Sequence, residues 1–276
     1  MTPLLFTVDA FTNKPFSGNP AAVCVTHKRL PTRWMQTLAH ELGLSETAFV
    51  QMGSSEIALR WFTPEVEVDL CGHATLASAF VLWTNTLHST EHPLRFATRS
   101  GPLTCTWRDG WVDMDFPALP CGPTDCAAQL AQILGTEPVG AGFNGTDLLA
   151  EIAGEDALRR LTPDLNALRE LPARGLIVTS RSASAEYDFV SRFFAPRAGI
   201  AEDPVTGSAH CALAPYWAKK LRKKRFRAFQ ASRRGGVVVA ELRGADRVLL
   251  SGQAVTISRM ELSAEAMPDG PRKARP

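Results

Sequence analysis

The chain repeats itself at long range. Arg60-Trp61-Phe62-Thr63-Pro64 returns 132 residues later as Arg192-Phe193-Phe194-Ala195-Pro196. A polar stretch ending in an acid follows in each copy, at Asp69 and at Asp203. Gly72-His73-Ala74 and Gly207-Ser208-Ala209 come next, and both lead into apolar runs that reach a tryptophan, Trp83 or Trp217. The offset drifts from 132 to 135 residues, so the second copy carries a small insertion. Several matched elements in one order indicate duplication. A period this long means two similar domains rather than a solenoid of ~20–50-residue repeats.

Each copy has a readable local structure. An Arg-aromatic-Phe run ended by proline reads as a strand end, because proline removes a ladder donor. From Gly72 to Trp83 the residues are good helix formers and apolar nearly all round, the pattern of a buried helix. Ser208 to Leu221 reads the same way, with Pro215 expected to kink it. The expected architecture is α/β (α+β): two pseudo-symmetric domains, each a curled β-sheet around a central helix. Pro117, Pro120 and Pro123 mark a linker. They divide the chain into 1–116, 117–262 and a polar tail 263–276 expected to fray.

Smaller signals fill in the rest. Strands are expected at Leu4–Phe11, Ala21–Thr26 and Leu44–Val50, with a helix at Thr32–Leu42 capped by Gly43. In the second half a helix is expected at Asp125–Leu134. Strands follow at Asp147–Ile152, Gly175–Thr179, Tyr187–Phe194, Gly235–Leu242 and Val248–Leu262.

Composition bounds the function. Of 276 residues, 45% are apolar and 21% charged, and the net charge is +2. That excludes a disordered, collagen-like or coiled-coil chain, and so even a balance argues against a dedicated nucleic-acid binder. No run reaches the ~18 apolar residues of a membrane helix. Met1 to Asp9 lacks the basic and apolar regions of a secretory signal. The six cysteines form no CxxC pair and no zinc-ribbon spacing. A reduced, cytoplasmic protein is expected.

Three motifs are decoys. Gly140-Ala141-Gly142-Phe143-Asn144-Gly145 matches GxGxxG but lacks the preceding buried strand and the following helix of a dinucleotide site. His40-Glu41 begins HExxH, but Leu44 stands where the second histidine belongs. Lys219–Arg227 carries seven cations in nine residues. It falls where the second central helix should end, and cations there favour the helix dipole.

Two features carry chemistry. Gly72 and Gly207 open helices, and glycine lets the backbone approach a ligand. First-turn N–H groups have no partners within the helix and lie at its positive end, so they suit an anion. Two such starts facing each other across a domain cleft would hold a small carboxylate. The second feature is Glu46, an acid entering the apolar strand of Leu44-Ser45-Glu46-Thr47-Ala48-Phe49. That placement is costly unless the acid is paired or used.

Together with Ser17-Gly18-Asn19-Pro20-Ala21-Ala22-Val23, Cys71-Gly72-His73-Ala74-Thr75 and Glu202-Asp203-Pro204-Val205-Thr206-Gly207-Ser208-Ala209-His210, these motifs make the chain resemble the PhzF-type phenazine-biosynthesis-like proteins of the diaminopimelate-epimerase superfamily. Arg234-Gly235-Gly236 and Ser251-Gly252-Gln253-Ala254-Val255 extend the resemblance, which covers residues 4–262. It implies a cofactor-independent, metal-free isomerase, expected as a homodimer. Its substrate would be a small carboxylic acid, either dihydro-hydroxyanthranilate-like or an amino acid. No nucleic acid and no membrane is expected as a partner.

The resemblance also assigns roles. Glu46 would move the proton, with His73 and Asp203 lining the same cavity. Asn19, Ser45, Gly72, Gly207 and Ser208 would bind substrate. Related epimerases use two facing cysteines. Here Cys71 stands at the first motif, whereas the second offers Asp203, with Cys211 four residues beyond Gly207. Two alternatives stay open: a racemase or epimerase using Cys71 with an acid partner, and a non-catalytic small-ligand binding protein.

Overall fold

A computed structural model describes residues 3–53 and 56–268. Its first half runs β1 (Leu4–Ala10), β2 (Asn19–Thr26), α1 (Thr32–Leu42), β3 (Glu46–Met52), β4 (Ile57–Phe62), β5 (Glu67–Val68), α2 (Gly72–Thr84), β6 (Leu94–Thr98), β7 (Gly101–Arg108) and β8 (Trp111–Pro117). The second half runs α3 (Ala127–Leu134), β9 (Gly140–Phe143), β10 (Asp147–Glu151), α4 (Glu155–Arg160), α5 (Leu165–Glu170), β11 (Gly175–Arg181), β12 (Phe189–Ala195), β13 (Ile200–Asp203), α6 (Gly207–Leu221), β14 (Arg225–Gln230), β15 (Gly236–Arg243), β16 (Arg247–Gly252) and β17 (Ala254–Met260). Among the described residues no helix is long and apolar enough to cross a membrane.

Two compact units emerge. Among the described residues, the first comprises 3–16, 20–53, 56–112 and 253–268; the second comprises 17–19 and 113–252. The linker prolines alone would keep 117–262 together, and the apolar pattern draws one strand over Val248–Leu262. The strand instead breaks at Gln253, and β17 returns to pair antiparallel with β1, Ala10 opposite Ala254 and Leu5 opposite Met260. Within the tail, the Trp34 indole N–H donates to the Ala266 carbonyl at 2.8 Å, while residues 263–266 stay exposed. The remaining tail positions, 269–276, lie outside the described residues.

The first unit is a sheet wrapped on α2. β2 pairs parallel with β3, β3 antiparallel with β4, β4 antiparallel with β5 and parallel with β6, and β6 antiparallel with β7. Helix α2 packs on β1, β3 and β17. It is buried on every side, from Ala74 and Leu76 to Val81 and Leu82. Its buried hydroxyls are satisfied by the helix itself, Thr75 donating to the Cys71 carbonyl and Ser78 to that of Ala74. On the other sheet face α1 buries Met35, Leu38 and Ala39 against Phe49 and Phe62. Gly43 ends α1 in the left-handed region, where glycine pays no Cβ penalty.

The second unit repeats this pattern. β10 pairs parallel with β11, β11 antiparallel with β12, β12 antiparallel with β13 and parallel with β14, and β14 antiparallel with β15. Helix α6 takes the place of α2 and packs on β15 and β16. GxGxxG proves to be β9 and its turn, paired with β10. The basic run Lys219–Arg227 ends α6 and enters β14.

Strand registers fix the internal alignment. Arg60 and Arg192 each make a two-pronged ion pair, with Glu67 and Glu202 respectively. Trp61 lies opposite Val68, and Phe193 opposite Asp203. Asp203 therefore corresponds to Val68, not to Asp69 as the motif spacing suggests. The insertion is absorbed by a 3₁₀ turn at Pro196–Ala198.

Candidate active site

The first unit gathers three of its polar groups at the start of α2. Glu46 is the first residue of β3, directly after the turn that caps α1, and Ser45 precedes it half-buried. Cys71 is the extended residue before α2, Gly72 its first residue and His73 its second. The Glu46 Oε2 and His73 Nε2 atoms stand 3.1 Å apart, with side chains 14% and 7% exposed. They are close enough to pair but not aligned as a hydrogen bond, so neither buried atom has a hydrogen-bond partner among the described residues. On the other ring edge, Cys71 Sγ lies 3.5 Å from His73 Nδ1. The imidazole thus sits between a thiol and a carboxylate.

The electrostatics follow from this placement. Burial opposes charge on the imidazole, but Cys71 and Glu46 outweigh it and hold His73 well above the ordinary histidine range. Burial pushes the Cys71 thiol up, and Glu46 pushes in the same direction. The first intrahelical bond is made by the Thr75 N–H to the Cys71 carbonyl. The N–H groups of Gly72 and His73 come before it, at the positive end of the helix.

In the second unit, Asp203 closes β13 and is held on both oxygens. Its Oδ1 accepts from Asn19 Nδ2 at 2.8 Å and its Oδ2 from Thr206 Oγ1 at 2.5 Å. Asn19, fully buried, also donates to the Val205 carbonyl at 2.9 Å. Ser208 Oγ accepts from Arg174 at 2.9 Å, and Arg174 is gripped by the buried Asp147 carboxylate. Gly207 opens α6, with Thr206 before it in extended backbone. Thr206 thus stands where Cys71 stands in the first unit. His210 repeats Thr75, its Nδ1 lying 2.8 Å from the Thr206 carbonyl.

Sequence reasoning does not find Arg174, Asp147 or Gln230. Gln230 accepts from the Thr206 N–H and donates to the Asp203 carbonyl, pinning the turn before α6. Lone polar residues at strand ends carry no sequence signal for such roles. Arg234 donates to the carbonyls of Gly18 and Ser17. The Arg-Gly-Gly motif thereby fixes the segment that presents Asn19.

The family model described as phenazine biosynthesis-like protein, PhzC-PhzF, matches residues 8–260. The chain belongs to that family. An uncharacterized isomerase of Halalkalibacterium halodurans is 51% identical over 263 residues, covering 95% of this chain and 99% of the relative. A solved PhzF-family phenazine biosynthesis protein of Enterococcus faecalis superposes with a TM-score of 0.90 at 43% identity, covering 95% of this chain and all of the other. A probable proline racemase of Agrobacterium radiobacter, at 12% identity and a TM-score of 0.61 over 97% of this chain and 95% of its own, shares the fold. The chain is a PhzF-like isomerase, and its mixed α/β fold is the one that the resemblance implies.

Proposed function

We propose that this PhzF-like protein moves a proton between carbons of a small carboxylic acid without a cofactor, and that Glu46 carries the proton. The observation that carries the reading is the Glu46–His73 contact: two buried polar atoms 3.1 Å apart, without hydrogen-bond alignment, at the start of a helix. A proton shuttle needs one positioned group that takes a proton and returns it. The Glu46 carboxylate takes it from the substrate carbon. His73, held toward its protonated form, steadies the carboxylate before transfer and the negative charge that grows on the substrate afterwards. The N–H groups opening α2 favour the same negative charge.

Asp203, Asn19, Gly207 and Ser208 enter this reading through their motif. Both oxygens of Asp203 are engaged, which fits a positioning role at the α6 start better than proton transfer. Ser208, paired with Arg174, fits a carboxylate-binding role, as do Ser45 and Gly72 in the first unit. The same reading takes the enzyme as a cytoplasmic homodimer, on the resemblance and on six cysteines without a disulfide. A two-thiol racemase is disfavoured, because Thr206 fills the position that the second thiol would need.

The test is a panel of small cyclic and acyclic hydroxy and amino acids, screened for binding by thermal shift and for isomerisation by NMR in deuterated water. Conversion of one member by chelator-treated protein, without added cofactor, supports the reading. Tight binding with no conversion across the panel would make the protein a ligand carrier instead.

A further inference from the structure

We infer that Glu46, Cys71 and His73 also form a binding site for one soft divalent cation of the zinc type. Each offers one ligand atom, and the three atoms all lie within 4.8 Å of one another. Among the described residues no other group of three histidine, cysteine or acidic side chains meets that condition. A thiolate sulfur and an imidazole nitrogen on one tetrahedral zinc, at ~2.3 and ~2.0 Å from the metal, stand about 3.6 Å apart. Cys71 Sγ and His73 Nδ1 stand 3.5 Å apart. The thiol–imidazole edge of the site therefore already has the right length.

The third ligand has to turn to join them. Glu46 faces the other ring nitrogen, so its carboxylate gives up the 3.1 Å contact with His73 Nε2 as it swings toward the sulfur, within the same 4.8 Å span. The charges balance: a thiolate and a carboxylate neutralise a divalent ion, which removes the usual cost of burying one. Thiolate with imidazole selects zinc over magnesium or calcium. Three protein ligands leave a fourth position for water or a carboxylate. Loading the site would engage both Glu46 and His73 and so stop proton transfer. That consequence, unlike the site itself, rests on the role proposed above for Glu46.

The probe is Co²⁺ added to reduced, chelator-treated protein, with Zn²⁺ as competitor. One equivalent is expected to saturate a thiolate-to-cobalt absorption in the near ultraviolet, and Zn²⁺ should abolish it. Cys71→Ser should remove the band. Glu46→Gln and His73→Gln should weaken binding by roughly 10-fold or more, since even outer-shell changes cost that much. Cys121→Ser, a half-buried thiol outside the cluster, should change nothing. A band that survives Cys71→Ser, equal binding in wild type and Glu46→Gln, or no stoichiometric binding at all would overturn the site. Glu46→Gln keeps the side-chain shape and decides the matter if Cys71→Ser does not fold. No substrate is needed, so this test fails or succeeds independently of the isomerase reading.

Discussion

Glu46 and Gly175 occupy the same position in the two halves of the duplication. Each is the first residue of its strand, paired in parallel with Ala21 and Asp147 respectively. Each precedes the residue facing the matching phenylalanine, Phe62 or Phe194. Only the first copy has room for an acid. A Cβ on Gly175 would lie 2.6 Å from the Phe193 ring and 2.8 Å from the Phe194 carbonyl oxygen. The duplication has thus been made asymmetric: one half carries a carboxylate at this strand start, and the other a backbone contact with Arg174 beside it.

Gly175→Ala should therefore destabilise the protein. Relief of glycine's backbone freedom would favour alanine by about 0.4–1 kcal/mol. Forcing a methyl against a main-chain carbonyl costs about 1–3 kcal/mol, so the clash wins. Chemical denaturation should show a lower midpoint. An unchanged or higher midpoint would mean that the strand yields freely, and the steric account of the asymmetry would fail.

A pH dependence follows from His210. Its ring is fully buried and stacked on Phe189, and burial lowers its pKa to about 4, the Thr206 carbonyl opposing only in part. The unfolded chain binds the proton near pH 6.5, so it holds more protons than the native state between those values. Stability from this group is present above pH 6.5 and is lost as pH falls toward 4, by up to about 3 kcal/mol. His73 works in the opposite sense. Its raised value gives stability that is full below pH 6.5 and lost as pH rises through the folded value. His210→Gln should flatten the acid limb of a stability–pH curve. The same slope in the variant would rule His210 out as its source.

The scaffold is legible in the sequence because duplication and hydrophobic pattern are local signals. Helix α1 spans the expected Thr32–Leu42, and both central helices begin at the expected glycines. Cys71, Glu46 and His73 all stand out in the sequence, although nothing in their spacing foretells that the imidazole lies between the other two. The alignment of Asp203 misleads because the extra residues sit in the turn after Pro196, where no hydrophobic period marks a slip. The return of β17 to β1 is hidden because Val248–Leu262 reads as one continuous strand. Only the pairing partner tells that its two ends belong to different units.

Cys71 separates the two enzymatic readings. Its thiol is buried and pushed up, and its counterpart is Thr206, so it is a poor base without a thiol partner in the motif. Cys71→Ala should slow turnover by less than about 10-fold, well short of the 10²–10⁴-fold worth of general acid–base catalysis. A loss as large as that from removing Glu46 would instead favour a cysteine-dependent epimerase.

Glu46→Gln gives the most direct test of the central claim. The substitution keeps the shape of the side chain and removes its ability to take a proton near neutral pH. Turnover and ligand affinity should be measured on the same sample, with the substrate identified from the panel. Turnover should fall by about 10²–10⁴-fold or more. Affinity should change little, since in this reading the N–H groups opening α2 rather than Glu46 favour the substrate carboxylate, and stability should stay equal or rise, because active-site acids are kept at a cost to folding. Near-normal turnover with intact binding would contradict the account and move the proton transfer to His73 or Asp203.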